Sequence, residues 1–256
     1  MAQQPSTDTR IKSTERSFRI LKEVCRRDGA GVTELADHFD CSKSTICEHL
    51  LTLVDSGYVT NDGGTYRIGL RFLELGGHAR AKEKLYHFGK KDIDELSAET
   101  GESAKLVVEE NGRGIYLYQA LGENAVMTDS HLGTRVYLHA TAVGKAILAH
   151  LNDEHISEIV DQHGLPAKTD QTVTDRDELE TRLQSIKDRG VAFDDEERIE
   201  GMRCVAAPIL QDGEILGALS VSGPKRRIDE PVFRKELPDL VKNTARTVEM
   251  NTKYIP

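Results

Sequence analysis

Between residues 14 and 69 the hydrophobic period changes once, from three-and-four spacing to strict alternation, and this change limits the folds open to the chain. Thr14 to Arg27 places apolar residues at Phe18, Leu21, Val24 and Cys25, an amphipathic helix that Asp28-Gly29 stops. A second short helix begins at Thr33 with Leu35, Ala36 and Phe39 inward, and breaks at Asp40-Cys41. Ser42 then caps a third, in which Ile46, Leu50, Leu53 and Val54 share one side. After Ser56-Gly57 the stretch "YVTNDGGTYRIG" alternates about Asn-Asp-Gly-Gly, the turn chemistry of a two-stranded hairpin. Three helices and a hairpin make a winged helix-turn-helix, assigned to residues 10–70.

The third helix carries an unusual outer face. Ser44, Thr45, Glu48 and Thr52 lie opposite its apolar stripe, and Lys43 and His49 flank it. A helix that only packs usually shows long charged pairs to solvent. Short hydroxyls near an N-terminus instead let the backbone approach phosphates and base edges, so the helix reads as a DNA-recognition helix. Ser42 at the cap, Thr33 at the head of the second helix and Arg67 on the hairpin complete the candidate DNA-contacting set.

A net charge of −9 would by itself oppose nucleic-acid binding. Distribution matters more: over residues 1–70 acidic and basic side chains nearly cancel, and the basic ones cluster early as Arg10, Lys12, Arg16, Arg19, Lys22, Arg26 and Arg27. The excess negative charge belongs to the rest of the chain. At 256 residues the chain suits one to two domains, and no apolar run approaches the roughly 18 residues that cross a bilayer. The start "MAQQPSTDTR" has no apolar core behind a basic head, so no export signal and no membrane partner are expected, and the expected location is the cytoplasm. Cys25, Cys41, Cys47 and Cys204 form no C-x-x-C pair, which argues against a zinc site and a disulfide framework; no metal or cofactor is expected.

Residues 1–9 read as a disordered tail, 71–86 as a linker helix weakened by Gly76-Gly77, and 87–256 as a second domain. There helices alternate with short strands: hairpins turn at Asn111-Gly112 and Asp212-Gly213, "NAVMTDS" reads as a short strand, and "RKELPDLVKNTARTVEM" as a closing helix. Helices on an antiparallel sheet give an α+β class. Alternation puts Ala218, Ser220 and Ser222 on one face of the last strand, and Cys204 and Ala206 on one side of its neighbour. Where those faces coincide, the sheet is dented and lined with hydroxyls and a thiol; small residues that only admit a close helix would read the same. A helix opening at Thr141 would aim the N–H groups of Ala142, Val143 and Gly144 outward as a carboxylate seat, with Lys145 nearby. Gly144-Lys145 is no phosphate loop, since His139 stands where its first glycine belongs and Ala146 replaces the metal-binding hydroxyl. The acidic run with Asp194 and Asp195 reads as a solvated face. Cys204 with His139 or His131 as base would make a nucleophile, but nothing in the sequence brings them together.

The chain resembles the IclR family of transcriptional regulators over essentially its whole length. "GVTELADHFDCSKSTICEHLLTLVDSGYV" is similar to its helix-turn-helix, "YRIGLRFLELG" to its wing exit and linker, and "LHATAVGKAILAHL", "GVAFDDEE", "GMRCVAAPI" and "GALSVSGP" to its effector-domain signatures. The resemblance implies a palindromic double-stranded DNA operator, a homodimer or dimer of dimers assembled partly through the linker helix, and a GAF-like C-terminal domain that binds a small metabolite, commonly an organic acid. It places the family's pocket on Ala142, Val143, Asp194, Cys204, Ser220 and Ser222, which singles out Asp194 from the acidic run. Hydroxyls, backbone donors and a carboxylate suit a sugar acid or other hydroxy acid. Many bacterial members carry Arg where Glu48 stands, so their operators do not transfer. The resulting expectation is a non-catalytic, ligand-responsive regulator of a metabolic pathway; the alternative is a metabolite-binding protein or enzyme whose helix-turn-helix only contacts proteins.

Overall fold

The computed structural model describes residues 11–254, and the tail expected at 1–9 lies outside them. The chain divides into two compact units, Met1–Ala79 and Arg80–Pro256.

In the first unit α1 (Lys12–Arg26), α2 (Val32–Phe39) and α3 (Lys43–Asp55) precede a hairpin of β1 (Val59–Asp62) and β2 (Thr65–Ile68). The strands pair Val59 with Ile68 and Asp62 with Thr65 around Gly63 and Gly64, whose φ of 56° and 92° is the left-handed region that glycine enters freely. Ile20, Val24, Leu35, Ile46 and Leu50 are fully buried and join the helices. Phe18 and Cys25, expected inside, are exposed; Ile20 replaces them, because Ile20 and Val24 stack one turn apart on the buried face. The hairpin is tied back where Ala30 and Tyr66 exchange backbone hydrogen bonds of 3.0 and 2.9 Å.

The helix expected over 71–86 is two helices. α4 (Phe72–Ala81) ends, Glu83 takes extended backbone at φ −77° and ψ 109°, and α5 (Lys84–Thr100) starts afresh.

The second unit follows α5 with β3 (Ser103–Glu110), β4 (Arg113–Leu121), β5 (Arg135–Tyr137), α6 (Ala142–Leu148), α7 (Asp153–His163), α8 (Arg176–Arg189), β6 (Ala192–Asp195), β7 (Met202–Gln211) and β8 (Glu214–Pro224), then a π-helical turn at Val232–Glu236 running into α9 (Leu237–Tyr254). The six strands form one antiparallel sheet in the order β5-β4-β3-β8-β7-β6, so the class is α+β. Strand alternation splits its core in two. Val205, Leu219 and Val221 pack with Ile93 of α5 and Val241 of α9, while Ala206 and Ala218 pack with Ala146 of α6 and Leu183 of α8. "NAVMTDS" is not a strand but a strap: Met127 is 75 % exposed, and the segment joins no ladder of the sheet.

The alanines and glycines on the second face let α6 sit close. A Cβ on Gly144 would lie 2.2 Å from the Leu138 carbonyl oxygen, nearer than any atom can go. Gly144→Ala must push α6 off the β5–α6 connection and is expected to cost about 3 kcal/mol or more. Urea unfolding of the variant checks this.

Candidate functional site

Helix α3 begins on a built cap. Ser42 Oγ accepts the Thr45 N–H at 3.1 Å and lies 2.8 Å from both the Ser44 and Thr45 hydroxyls, so the three form one hydroxyl cluster at the positive end of the helix. Lys43, Ser44, Glu48 and Thr52 are exposed, as is Thr33 at the head of α2. Thr52 donates to the Glu48 carbonyl at 2.8 Å, which leaves its oxygen as an acceptor. Arg67 stands exposed on β2, 3.9 Å from Asp62. His49 is different: its Nδ1 lies 2.8 Å from Ser17 Oγ of α1, and burial together with Arg16 holds its pKa below the usual histidine value. It ties α3 to α1, and its ring is only partly accessible. Arg26 and Arg27, counted in the early basic cluster, both turn onto Glu23, whose carboxyl their hydrogen bonds hold down at about 2. Less of that cluster is free for phosphate than its number suggests.

In the second unit, register settles whether the small-residue faces meet. Asp194 pairs with Cys204, Cys204 with Ser222 and Ser222 with Ser103, while Ala206 pairs with Ser220 and Ser220 with Lys105. Paired residues share a face in antiparallel strands, so two adjacent rows cross the sheet. Asp194, Cys204, Ser222, Ser220 and Lys105 of these rows line a cavity that Thr141, Val143, Tyr116 and Arg198 also wall. Val143, Asp194, Cys204, Ser220 and Ser222 therefore come together. Ala142 and Gly144 do not reach the cavity: Ala142 is fully buried in the core, and the Gly144 N–H is spent on Thr141 Oγ1 at 3.0 Å. Lys145 also turns inward, fully buried and paired with Glu197.

Lys105 and Arg198 are the residues sequence reasoning missed. Lys105 is buried among hydroxyls, its Nζ donating to Ser222 Oγ at 2.8 Å and Ser103 Oγ at 3.1 Å, and among the described residues no carboxylate stands within ion-pair distance. Burial draws its pKa down to about 8. Arg198 donates to Asp129 Oδ1 at 2.8 Å and Ser130 Oγ at 3.1 Å, fastening the strap beside the cavity. Asp194 is buried, and its Oδ1 accepts the N–H groups of Glu197 at 2.7 Å and Arg198 at 3.3 Å, closing a turn in which Glu196 adopts φ +66°. Burial lifts its carboxyl to about 7, against the pull of Lys145. Burial likewise pushes the Cys204 thiol and the Tyr116 hydroxyl up to about 12, so both stay neutral. A lysine in an interspersed apolar strand carries no sequence signal, which is why "AKLVVEE" reads only as a strand.

Residues 13–63 match the IclR helix-turn-helix domain, and residues 78–250 match the family described as the bacterial transcriptional regulator IclR C-terminal domain. The chain belongs to the IclR family of transcriptional regulators. A probable HTH-type transcriptional regulator, ArcR of Halobacterium salinarum, is 35% identical over 246 residues, covering 94% of each chain. The crystal structure of the Thermotoga maritima IclR superposes with a TM-score of 0.78 at 27% identity, covering 96% of this chain and 100% of that one. An IclR homologue from Microbacterium hydrocarbonoxydans, solved with 4-hydroxybenzoate, shares the fold at a TM-score of 0.79 and 21% identity, covering 95% and 100%.

As an IclR-family member the chain is a DNA-binding transcriptional regulator with an effector domain, and not an enzyme. The geometry adds a reason specific to the thiol. His139 Nε2 lies 3.2 Å from the Pro166 carbonyl and His131 Nδ1 lies 3.1 Å from Thr134 Oγ1, so neither imidazole is bonded to Cys204. A thiol with a pKa near 12 and no base is not an activated nucleophile. Among the described residues no helix is long and apolar enough to cross a membrane, and no group of His, Cys, Asp and Glu is arranged to hold a metal ion.

Proposed function

We propose that the cavity of the second unit binds a small organic or sugar acid, and that occupancy shifts the affinity of a homodimer, or a dimer of such dimers, for a palindromic DNA operator in the cytoplasm. The observation that carries this reading is Lys105, a buried cation with no carboxylate partner among the described residues, set among hydroxyls in the wall of a cavity. A buried charge is costly until it is paired, so an anion entering the cavity supplies what the folded chain lacks. The carboxylate lies against Lys105 and Arg198, and ligand hydroxyls meet Ser220, Ser222 and Asp194. The 4-hydroxybenzoate held by a protein of the same fold is also a hydroxy acid, which supports the class though not the compound. A thermal-shift panel of organic, sugar and aromatic acids against their amides and alcohols tests the reading. Stabilisation by acids alone supports it, and equal response to neutral analogues sinks it.

Affinity should fall as pH rises. Asp194 is neutral below about 7 and becomes a negative charge in the acid's path above it, while Lys105 loses its charge above about 8. The other charges beside these groups are Lys145 and Glu197 near Asp194, and Arg198 and Asp129 near Lys105. For folding, a carboxyl raised from 3.8 to about 7 favours the native state at low pH and loses that advantage as pH climbs to about 7. Isothermal titration at pH 6, 7.5 and 9 is expected to show progressively weaker acid binding, with proton uptake near pH 8.

Exposed Lys43, Ser44 and Glu48 support α3 as the reading helix. Lys43→Ala is expected to weaken all DNA sequences about equally and flatten the salt dependence, as loss of one phosphate contact does. Glu48→Ala should instead change which sequence is preferred, since a carboxylate accepts from cytosine N4 and repels guanine acceptors. Selection from a random DNA pool separates the two; uniform loss in both variants would remove Glu48 from base reading.

A further inference from the structure

The turn Asp194–Arg198 also walls a second cavity, which shares no residue with the first. Its chemistry is cationic and aromatic. The Arg189 and Arg234 guanidinium carbons sit 4.8 and 4.6 Å from the centroid of the Phe193 ring, and Arg234 also stands 4.6 Å from the centroid of Phe233. At these distances the cation–π attraction holds both guanidinium groups against the rings. Arg189 spends Nε on the Val191 carbonyl at 2.6 Å, which leaves both Nη groups.

The neighbouring carboxylates are already committed. Asp195 takes Arg203 at 2.8 Å, Glu196 takes Lys225, Glu197 takes Lys145 and lies 3.3 Å from Arg182, and Glu230 takes Arg203 at 2.5 Å while its other oxygen is 3.6 Å from Arg234. Among the described residues Arg189 has no carboxylate within ion-pair distance. Burial and the like charges of Arg234 and Arg182 hold its pKa below the ordinary arginine value. Fixed guanidiniums that repel one another form a site for something with more than one negative charge.

We infer that this cavity is a second binding site, for a small multiply charged phosphate seated on the N–H edges of Arg189 and Arg234 with Arg182 alongside. The inference stands apart from the acid pocket and does not depend on it. The two are joined by one structural element: Asp194 and Arg198 face the first cavity while Asp195, Glu196 and Glu197 face the second.

The test is isothermal titration of the full chain with inorganic phosphate, pyrophosphate and a hexose phosphate at constant ionic strength, with chloride as the control. At least one phosphate is expected to bind, with affinity reduced about tenfold or more in Arg189→Gln/Arg234→Gln. It should be unchanged in Lys91→Gln/Lys253→Gln, which removes the same charge elsewhere. Tighter inorganic ions would mark a free-phosphate site, and a tighter hexose phosphate a metabolite site. No binding above chloride, or equal binding by the arginine variant and the wild type, would overturn the inference. Arg189 is exposed, so Arg189→Gln alone carries the same comparison if the double variant does not fold.

Discussion

Lys105→Met is expected to reduce affinity for the acid effector roughly a hundredfold or more without destabilising the protein. Removing one partner of a charge-assisted hydrogen bond in a desolvated site costs about 2–5 kcal/mol, and each 1.4 kcal/mol is about tenfold in affinity. Folding should not suffer, because the lysine is held charged at a cost: burial has brought its pKa to about 8, and among the described residues it donates only to the Ser103 and Ser222 hydroxyls. Methionine fills a similar volume and removes that charge. Titration of the acid and the melting temperature together check the prediction. A large drop in stability with little change in affinity would mean that Lys105 holds the sheet and not the ligand.

Lys145→Met should do the opposite. Lys145 is fully buried and bonded to Glu197, which is also buried and has one carboxylate oxygen, Oε2, with no partner among the described residues. Without the lysine, Glu197 keeps only Arg182 at 3.3 Å, whose side chain is 40 % exposed and also bonded to Glu178. Breaking a buried pair from one side costs about 3–5 kcal/mol, since the remaining charge stays where water cannot reach it. Adding Glu197→Met is expected to restore most of the loss. Urea unfolding of both variants reads the difference; equal losses in single and double variants would show that packing around α6, and not charge, sets the cost.

These two lysines show what was legible in the sequence. Period and turn chemistry are local, and they disclosed the three helices, the wing and the Ser42 cap. Alternation also put Ser220 and Ser222 on one face of their strand and Cys204 with Ala206 on one face of theirs, and left open whether the two faces meet. Register is not local. Only the sheet order β3-β8-β7-β6 brings Lys105 to Ser222 and Asp194 to Cys204 across 117 and 10 residues of chain, so Lys105 was invisible while its partners were not. The same limit explains Lys145, which reads as a charge beside a carboxylate seat because its partner lies 52 residues on, in an acidic run that reads as solvated. Gly144 was misread for another reason: a helix start suggests free N–H groups, but the threonine cap had already taken one. The break at Glu83 and the strap at 124–130 were missed because neither carries a proline or a change of period.

An acid bound beside Lys105 is expected to control how α3 meets DNA. Fluorescence anisotropy with a DNA fragment selected from a random pool, titrated with and without the acid that most raises the melting temperature, tests it in one experiment. The expected result is a DNA midpoint moved about fivefold or more by the acid in the wild type, and left in place in Lys105→Met, which still binds the fragment. An acid that binds the wild type and leaves the DNA midpoint unmoved would contradict it.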